Sequence, residues 1–193
     1  MKKLLLPIAA ALALSACGIN TVPTREEAAK AAWAEVESQY QRRADLIPNL
    51  VATVKGFAAQ EREVLEAVTQ ARASATQTTI NAGQLTDPAA IARFQTAQDQ
   101  LSGALSRLLV TVERYPELRS NENFLALQSQ LEGTENRITV ARRDYNQAVQ
   151  AYNTEIRTFP SLIAARFIYG AAPMTPFKTT AANAETAPTV SFE

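Results

Sequence analysis

Residues 127–156, LQSQLEGTENRITVARRDYNQAVQAYNTEI, decide the fold class. Leu127, Leu131, Thr134, Ile138, Ala141, Tyr145, Ala148 and Tyr152 alternate four and three residues apart, and Ile156 follows four further on. A period averaging 3.5 puts all nine on one stripe of a long helix, the pattern of a coiled-coil-like seam. This helix should run from about Asn121 to Arg157. Working upstream, Tyr115-Pro116 closes an earlier helix that carries Ile91, Phe94, Leu101, Leu105, Leu108 and Val112. Asp87-Pro88 opens that helix with an N-cap acid and a proline at the first helical position. A further helix is expected from about Asn49 to Ile80, through Leu50, Val54, Phe57, Val64, Val68, Ala71 and Ala75. The first starts at Thr24, where Thr24 and Glu27 fit a capping box, and places Trp33, Val36, Tyr40 and Ala44 on one face. Pro48 has no amide hydrogen, so Leu46-Ile47-Pro48 should break or kink the chain between the first two helices. Short connections between long helices make neighbours antiparallel, so the expected fold is all-α: an up-and-down four-helix bundle.

Composition removes several functions. The 193 residues contain no histidine and one cysteine, with 19 Lys+Arg against 19 Asp+Glu. A Ser-His-Asp triad, a zinc site with histidine ligands and an internal disulfide are all excluded. Zero net charge argues against nucleic acid as a partner. Glu61, Glu63 and Glu66, and Glu132 with Glu135, could only hold a hard cation as carboxylates on helices. Nearby Arg62 and Arg137 make solvated ion pairs the simpler reading. No nucleophile motif or phosphate-binding glycine loop is present. No cofactor is expected, and the chain reads as non-enzymatic.

The chain begins with an address. Lys2 and Lys3 precede an apolar run, Leu4–Leu14, too short to span a bilayer, which needs about 20 residues. Leu14-Ser15-Ala16-Cys17 resembles the lipobox of bacterial lipoproteins, which implies cleavage between Ala16 and Cys17 and acylation of Cys17. Two or more acyl chains would anchor the protein firmly. Residues 1–16 are then a signal and 17–23 a tether. Residues 24–169 are the bundle, with a short apolar helix at 161–169, and 170–193 an Ala/Thr/Pro-rich tail expected to lack structure. Removing 1–16 leaves a net charge of −2. By resemblance to lipoprotein sorting signals, Gly18 favours the outer membrane if the cell has two; the address in any case is the envelope.

Polar and small residues interrupt the apolar seams. Glu61 and Gln98 fall where the register expects core. A turn centred near residue 84 would set Glu61 level with Arg107, and Arg72 would come within a turn of Glu135, so these are candidate polar contacts in the core. Exposure of Glu61 through a small helix rotation is the alternative. Gly56, Gly103 and Gly133 lie inside helices, where each costs about 1 kcal/mol relative to alanine. Folding about residue 118 sets Gly103 level with Gly133, which would let the last two helices approach closely. Tyr145-Asn146 recurs one heptad on as Tyr152-Asn153, as bundle register alone would produce.

Several stretches resemble the LemA family of bacterial envelope proteins: Tyr40–Val51, Val54–Phe57, Glu122–Gln128, Leu131–Ile138, Ala141-Arg142, both Tyr-Asn pairs and Phe159-Pro160. Together they span roughly residues 33–168. The resemblance implies an antiparallel four-helix bundle outside the cytoplasm, fixed to a membrane by its N-terminus, and carries over no catalytic residue. Two departures stand out. Many members use an N-terminal transmembrane helix where this chain has Cys17, and many have His-Glu where this chain has Gln60-Glu61. The favoured role is a scaffold or adaptor for another envelope protein, with Tyr40, Tyr145 and Tyr152 as candidate contacts or, alternatively, core residues. Self-association at the membrane surface and binding of an apolar ligand between helices are the rival readings.

Overall fold

Pro48 does not break the chain. In the computed structural model, which describes residues 19–178, it sits inside one helix, α1, Thr21–Phe57. A proline in a helix interior leaves the carbonyl four residues back without its donor. Here that carbonyl is Ala44's, and Arg72 Nε donates to it at 2.7 Å. The first turn therefore falls at residues 58–61, and α1 reaches about 55 Å at 1.5 Å per residue. It also starts earlier than the expected cap. Pro23 is tolerated in the first turn, where no amide bond is needed, and the Thr24 hydroxyl donates to the Asn20 carbonyl rather than closing a capping box.

The remaining elements are α2 (Arg62–Gln77), a 3-10 turn (Ala82–Thr86), α3 (Pro88–Val112), α4 (Pro116–Arg119), α5 (Glu122–Glu155), α6 (Ser161–Ala164) and a π turn (Ala165–Tyr169). The cap at Asp87 forms as the sequence requires, its side chain accepting from Ala89 N at 2.8 Å. Asn121 caps α5 in the same way. Level pairs give the directions: Thr21 meets Glu155 and Arg43 meets Glu135, so α1 and α5 are antiparallel. Gln98 reaches Ala75, so α2 and α3 are too. The result is an up-down-up-down bundle in which α1 packs most closely on α5 and α2 on α3, while the α3 and α5 backbones hardly approach one another.

The expected seam of α5 is the observed one with small shifts. Leu131, Thr134, Ile138, Ala141, Tyr145 and Tyr152 are buried, Val149 takes the core position assigned to Ala148, and Phe124 lies deeper than Leu127. The core has two apolar clusters. One surrounds Trp33, Phe94 and Tyr145 near the chain's N-terminal end of the bundle, the other Leu50, Leu101 and Leu108 at the far end. Buried Arg43 and Gln98 lie between them.

Candidate functional site

The gap between α3 and α5 is filled by the chain itself. After Gly170, whose φ of 58° is the left-handed conformation glycine adopts freely, residues 171–178 run extended along the bundle. Two asparagines on α5 hold this strap by its backbone. Asn153 accepts the Met174 amide at 2.8 Å and donates to the Met174 carbonyl at 2.8 Å. Asn146 does the same with Phe177, at 2.8 and 3.2 Å. Each side-chain amide thus offers one strap residue the donor and acceptor that a neighbouring β-strand would offer. The spacing fits: seven helical residues rise about 10.5 Å, and three extended residues span about 10 Å.

Further backbone groups of the strap are met at Thr175 and Lys178. Thr175 N donates to the Leu85 carbonyl at 2.8 Å, and Tyr145 Oη donates to the Thr175 carbonyl at 2.9 Å. Burial holds the Tyr145 phenol well above its ordinary pKa, so it remains a donor. Gln95 and Arg142 both donate to the Lys178 carbonyl. Pro173 and Pro176 have no amide to satisfy. The Phe177 ring stacks on Trp33 at 5.6 Å, meets Tyr145 edge-on at 5.6 Å, and carries the Arg142 guanidinium 4.8 Å from its centre. Met174 and Phe177 are buried.

The seam continues past the level of Lys178 as a cleft among the described residues. A cleft of about 250 Å³ continues between α3 and α5, with Leu50, Leu105, Leu109 and Leu131 in its lining and Glu132 and Glu135 among its polar residues. At its upper end lies Arg43, 1% exposed. Arg43 Nη1 donates to Ser102 Oγ and Glu135 Oε1, both at 2.9 Å, and Nη2 to Gln98 Oε1 at 2.6 Å and the Gln98 carbonyl at 3.3 Å. The guanidinium sits 5.0 Å from the Tyr40 ring centre. Gln98 Nε2 in turn donates to the Ala75 carbonyl at 3.3 Å. This cluster joins all four long helices at one height, so sliding any of them by a residue breaks a buried hydrogen bond. Among the described residues no group of three or more histidine, cysteine, aspartate or glutamate side chains could hold a metal ion.

The family model for the LemA family matches residues 32–192. The chain belongs to the LemA family. Among its curated relatives are the magnetosome protein MamQ 2 of Paramagnetospirillum magneticum, 29% identical over 157 residues, and MamQ of Magnetospirillum gryphiswaldense, 27% identical over 157 residues. Both alignments cover 73% of this chain and 58% of the relative. Protein LemA of Metamycoplasma hominis is 23% identical over 124 residues, 64% of this chain and 52% of that protein. The chain therefore spans little more than half the length of the curated relatives it matches. No described helix is long and apolar enough to cross a membrane. Ala16 and Cys17 lie outside the described residues, as does the tail from residue 179.

Within this LemA fold the expected contacts are redistributed. Glu61 pairs with Arg114 at 3.1 Å and accepts from Tyr115 Oη at 2.6 Å, not from Arg107. The reason is the long irregular stretch at residues 78–87, which moves the α2–α3 turn and shifts the level of Glu61 one heptad along α3. Arg107 is exposed beside α2. Glu135 takes Arg43 as its partner, while Arg72 serves the Ala44 carbonyl. Gln98 is a buried polar contact, as its register suggested.

Gly103 and Gly133 do not pack together. A Cβ on either would meet nothing within 4 Å, and Gly103 is exposed in the groove between α2 and α3 rather than turned to α5. Tyr40, Tyr145 and Tyr152 are core residues rather than exposed contacts. Over residues 171–178 the strap stands where the sequence suggested no structure, and the Tyr-Asn repeat is its receptor as well as bundle register. Arg43 was not singled out either, although Trp33, Val36, Tyr40, Arg43, Ile47, Leu50 and Val54 continue one three-four alternation that contains it.

Proposed function

We propose that this LemA-family protein is a non-enzymatic, membrane-anchored adaptor of the cell envelope, held at its N-terminus by acylated Cys17, and that the α3–α5 groove is where it holds an extended segment of a partner. The observation carrying this reading is the pair of asparagine clamps. They bind backbone, which every extended segment offers, and leave selectivity to the pocket that holds Phe177. Peptide recognition in general works this way, with main-chain bonds for affinity and side-chain pockets for choice. The upper groove is filled by residues 171–178, and the apolar cleft below it, lined by Leu105, Leu109 and Leu131, is the part that would receive a partner's segment. The LemA and MamQ relatives fit a membrane-associated protein.

A photoreactive residue in place of Glu132, in intact cells, tests this. The adaptor reading expects crosslinks to one short, extended segment of a single envelope protein, lost when Cys17→Ser releases the anchor. Crosslinks only to copies of the same chain would replace the adaptor with self-association. Crosslinks scattered over many proteins, or none, would reject a specific groove.

A further inference from the structure

The short segment after α5 is packed with its large side chains outward. Ser161, Ala164 and Ala165 are buried against the bundle, while Phe159, Leu162, Ile163, Phe167, Ile168 and Tyr169 are exposed. Ten large hydrophobic residues are exposed among the described residues, and six of them crowd into these eleven positions. Phe159 and Phe167 are each 79% exposed. A water-facing turn has no reason to bury serine and alanine and expose phenylalanine and isoleucine. Contiguous patches of this kind mark a surface that meets another apolar phase.

Its position identifies the phase. The Thr21 and Ser161 hydroxyls both donate to the Glu155 carboxylate, Thr21 at 2.6 Å, which fixes this turn beside the first residue of α1. Those bonds hold the Glu155 carboxyl below its ordinary pKa and so keep it charged. Cys17 is four residues before Thr21, so the chain allows at most about 14 Å between their Cα atoms. Arg157 and Arg166 are exposed on the same segment, and Arg25 lies close enough to Glu155 to act on its charge. Arginines beside apolar side chains suit a lipid surface, the cations at the phosphates and the rings among the upper acyl carbons.

We infer that residues 157–169 form a membrane-seating turn that inserts Phe159, Leu162, Ile163, Phe167 and Ile168 into the outer part of the lipid leaflet that holds the acylated Cys17. The inference rests on the anchored reading above and adds an orientation to it. A lipid tether alone leaves the bundle free to tumble. The seated turn stands it on end and carries the Glu61–Arg114 end some 50 Å away along α1.

The test uses the full lipidated chain in vesicles of phosphatidylethanolamine and phosphatidylglycerol, some with brominated acyl chains. Phe167→Trp places a reporter in the turn, and Val110→Trp places one on an exposed site (72%) near the far end of α3. Trp33, buried in the bundle, is common to both. The inference expects a blue shift and at least twofold bromine quenching of the residue 167 reporter, with the residue 110 reporter unaffected. Phe159→Ser/Ile168→Ser should return the residue 167 reporter to a water-exposed emission while the protein still floats with the vesicles. A water-exposed reporter on vesicle-bound wild-type background overturns the inference and leaves the anchor intact. Protein that does not float overturns both. A blue shift that appears only with added envelope proteins overturns the lipid assignment in favour of a protein partner.

Discussion

Replacing Arg43 by methionine keeps an apolar stem and removes the guanidinium, and its cost follows from what each partner is left with. Gln98 is 5% exposed and loses the 2.6 Å donor to its Oε1. An orphaned buried acceptor costs about 1–3 kcal/mol. The Ser102 hydroxyl keeps its bond to the Gln98 carbonyl, so its loss is small. The Glu135 side chain is 46% exposed and rehydrates, which discounts the ion pair well below the 3–5 kcal/mol of a fully buried one. Arg43 Nε has no hydrogen-bond partner among the described residues, and its removal returns part of the loss. The net expectation is about 3 kcal/mol, or about 6–12 °C in melting temperature for a chain of this size. Urea unfolding of the full chain in mild detergent, followed by circular dichroism, measures it. The midpoint should fall with the slope unchanged. Arg43→Met/Gln98→Leu removes the orphaned Gln98 amide oxygen and should recover part of the loss, the remainder reflecting the Ala75 carbonyl, which loses its donor Gln98 Nε2. A single variant costing under about 0.5 kcal/mol, or a double variant no better than the single, would refute the reasoning.

Three further outcomes are expected. Arg72→Ala should cost about 1–2 kcal/mol in the same assay, and much less in a Pro48→Ala background, where residue 48 regains an amide able to reach the Ala44 carbonyl; equal costs in both backgrounds would show that Arg72 does not serve that carbonyl. Glu155 has its pKa lowered by the Ser161 and Thr21 hydroxyls, so its contribution is present above the unfolded value of about 4.5 and is lost as pH falls through the lower folded value. Amide exchange in residues 161–169 should accelerate across that acidic window, and Glu155→Gln should flatten the response. Gly103→Ala and Gly133→Ala should each stabilise the bundle by about 1 kcal/mol, since both positions are helical and open; destabilisation would mean that the helices do approach there.

The bundle was legible because the α5 heptads are written in consecutive residues of one helix. What sequence reasoning misplaced depends on partners far along the chain. Pro48 reads locally as a break, and only Arg72, on another helix, makes it tolerable. Glu61 found Arg114 rather than Arg107 because residues 78–87 spend their length on an extended stretch and a 3-10 turn, which no periodicity announces. The strap was hidden for a similar reason: two prolines and eight residues cannot show a helical or strand period. Its trace lies in two patterns, asparagines seven apart on a helix and apolar Met174 and Phe177 three apart in a proline-rich run, and the second has no meaning until the first is seen as its receptor. Arg43 was readable from the spacing of α1, but an arginine on an apolar seam is ordinarily assigned to the surface.

The most direct test of the groove is binding in trans. A chain ending at Gly170 should bind a labelled peptide of residues 171–178, and Asn146→Ala/Asn153→Ala should weaken that binding at least tenfold, with helix content unchanged by circular dichroism. Thr175→Ser in the peptide should bind like the original, because Tyr145 and the Leu85 carbonyl meet only the backbone there. Absent binding to the truncated chain, or binding indifferent to both asparagines, would contradict the claim that this groove holds extended segments by their backbone.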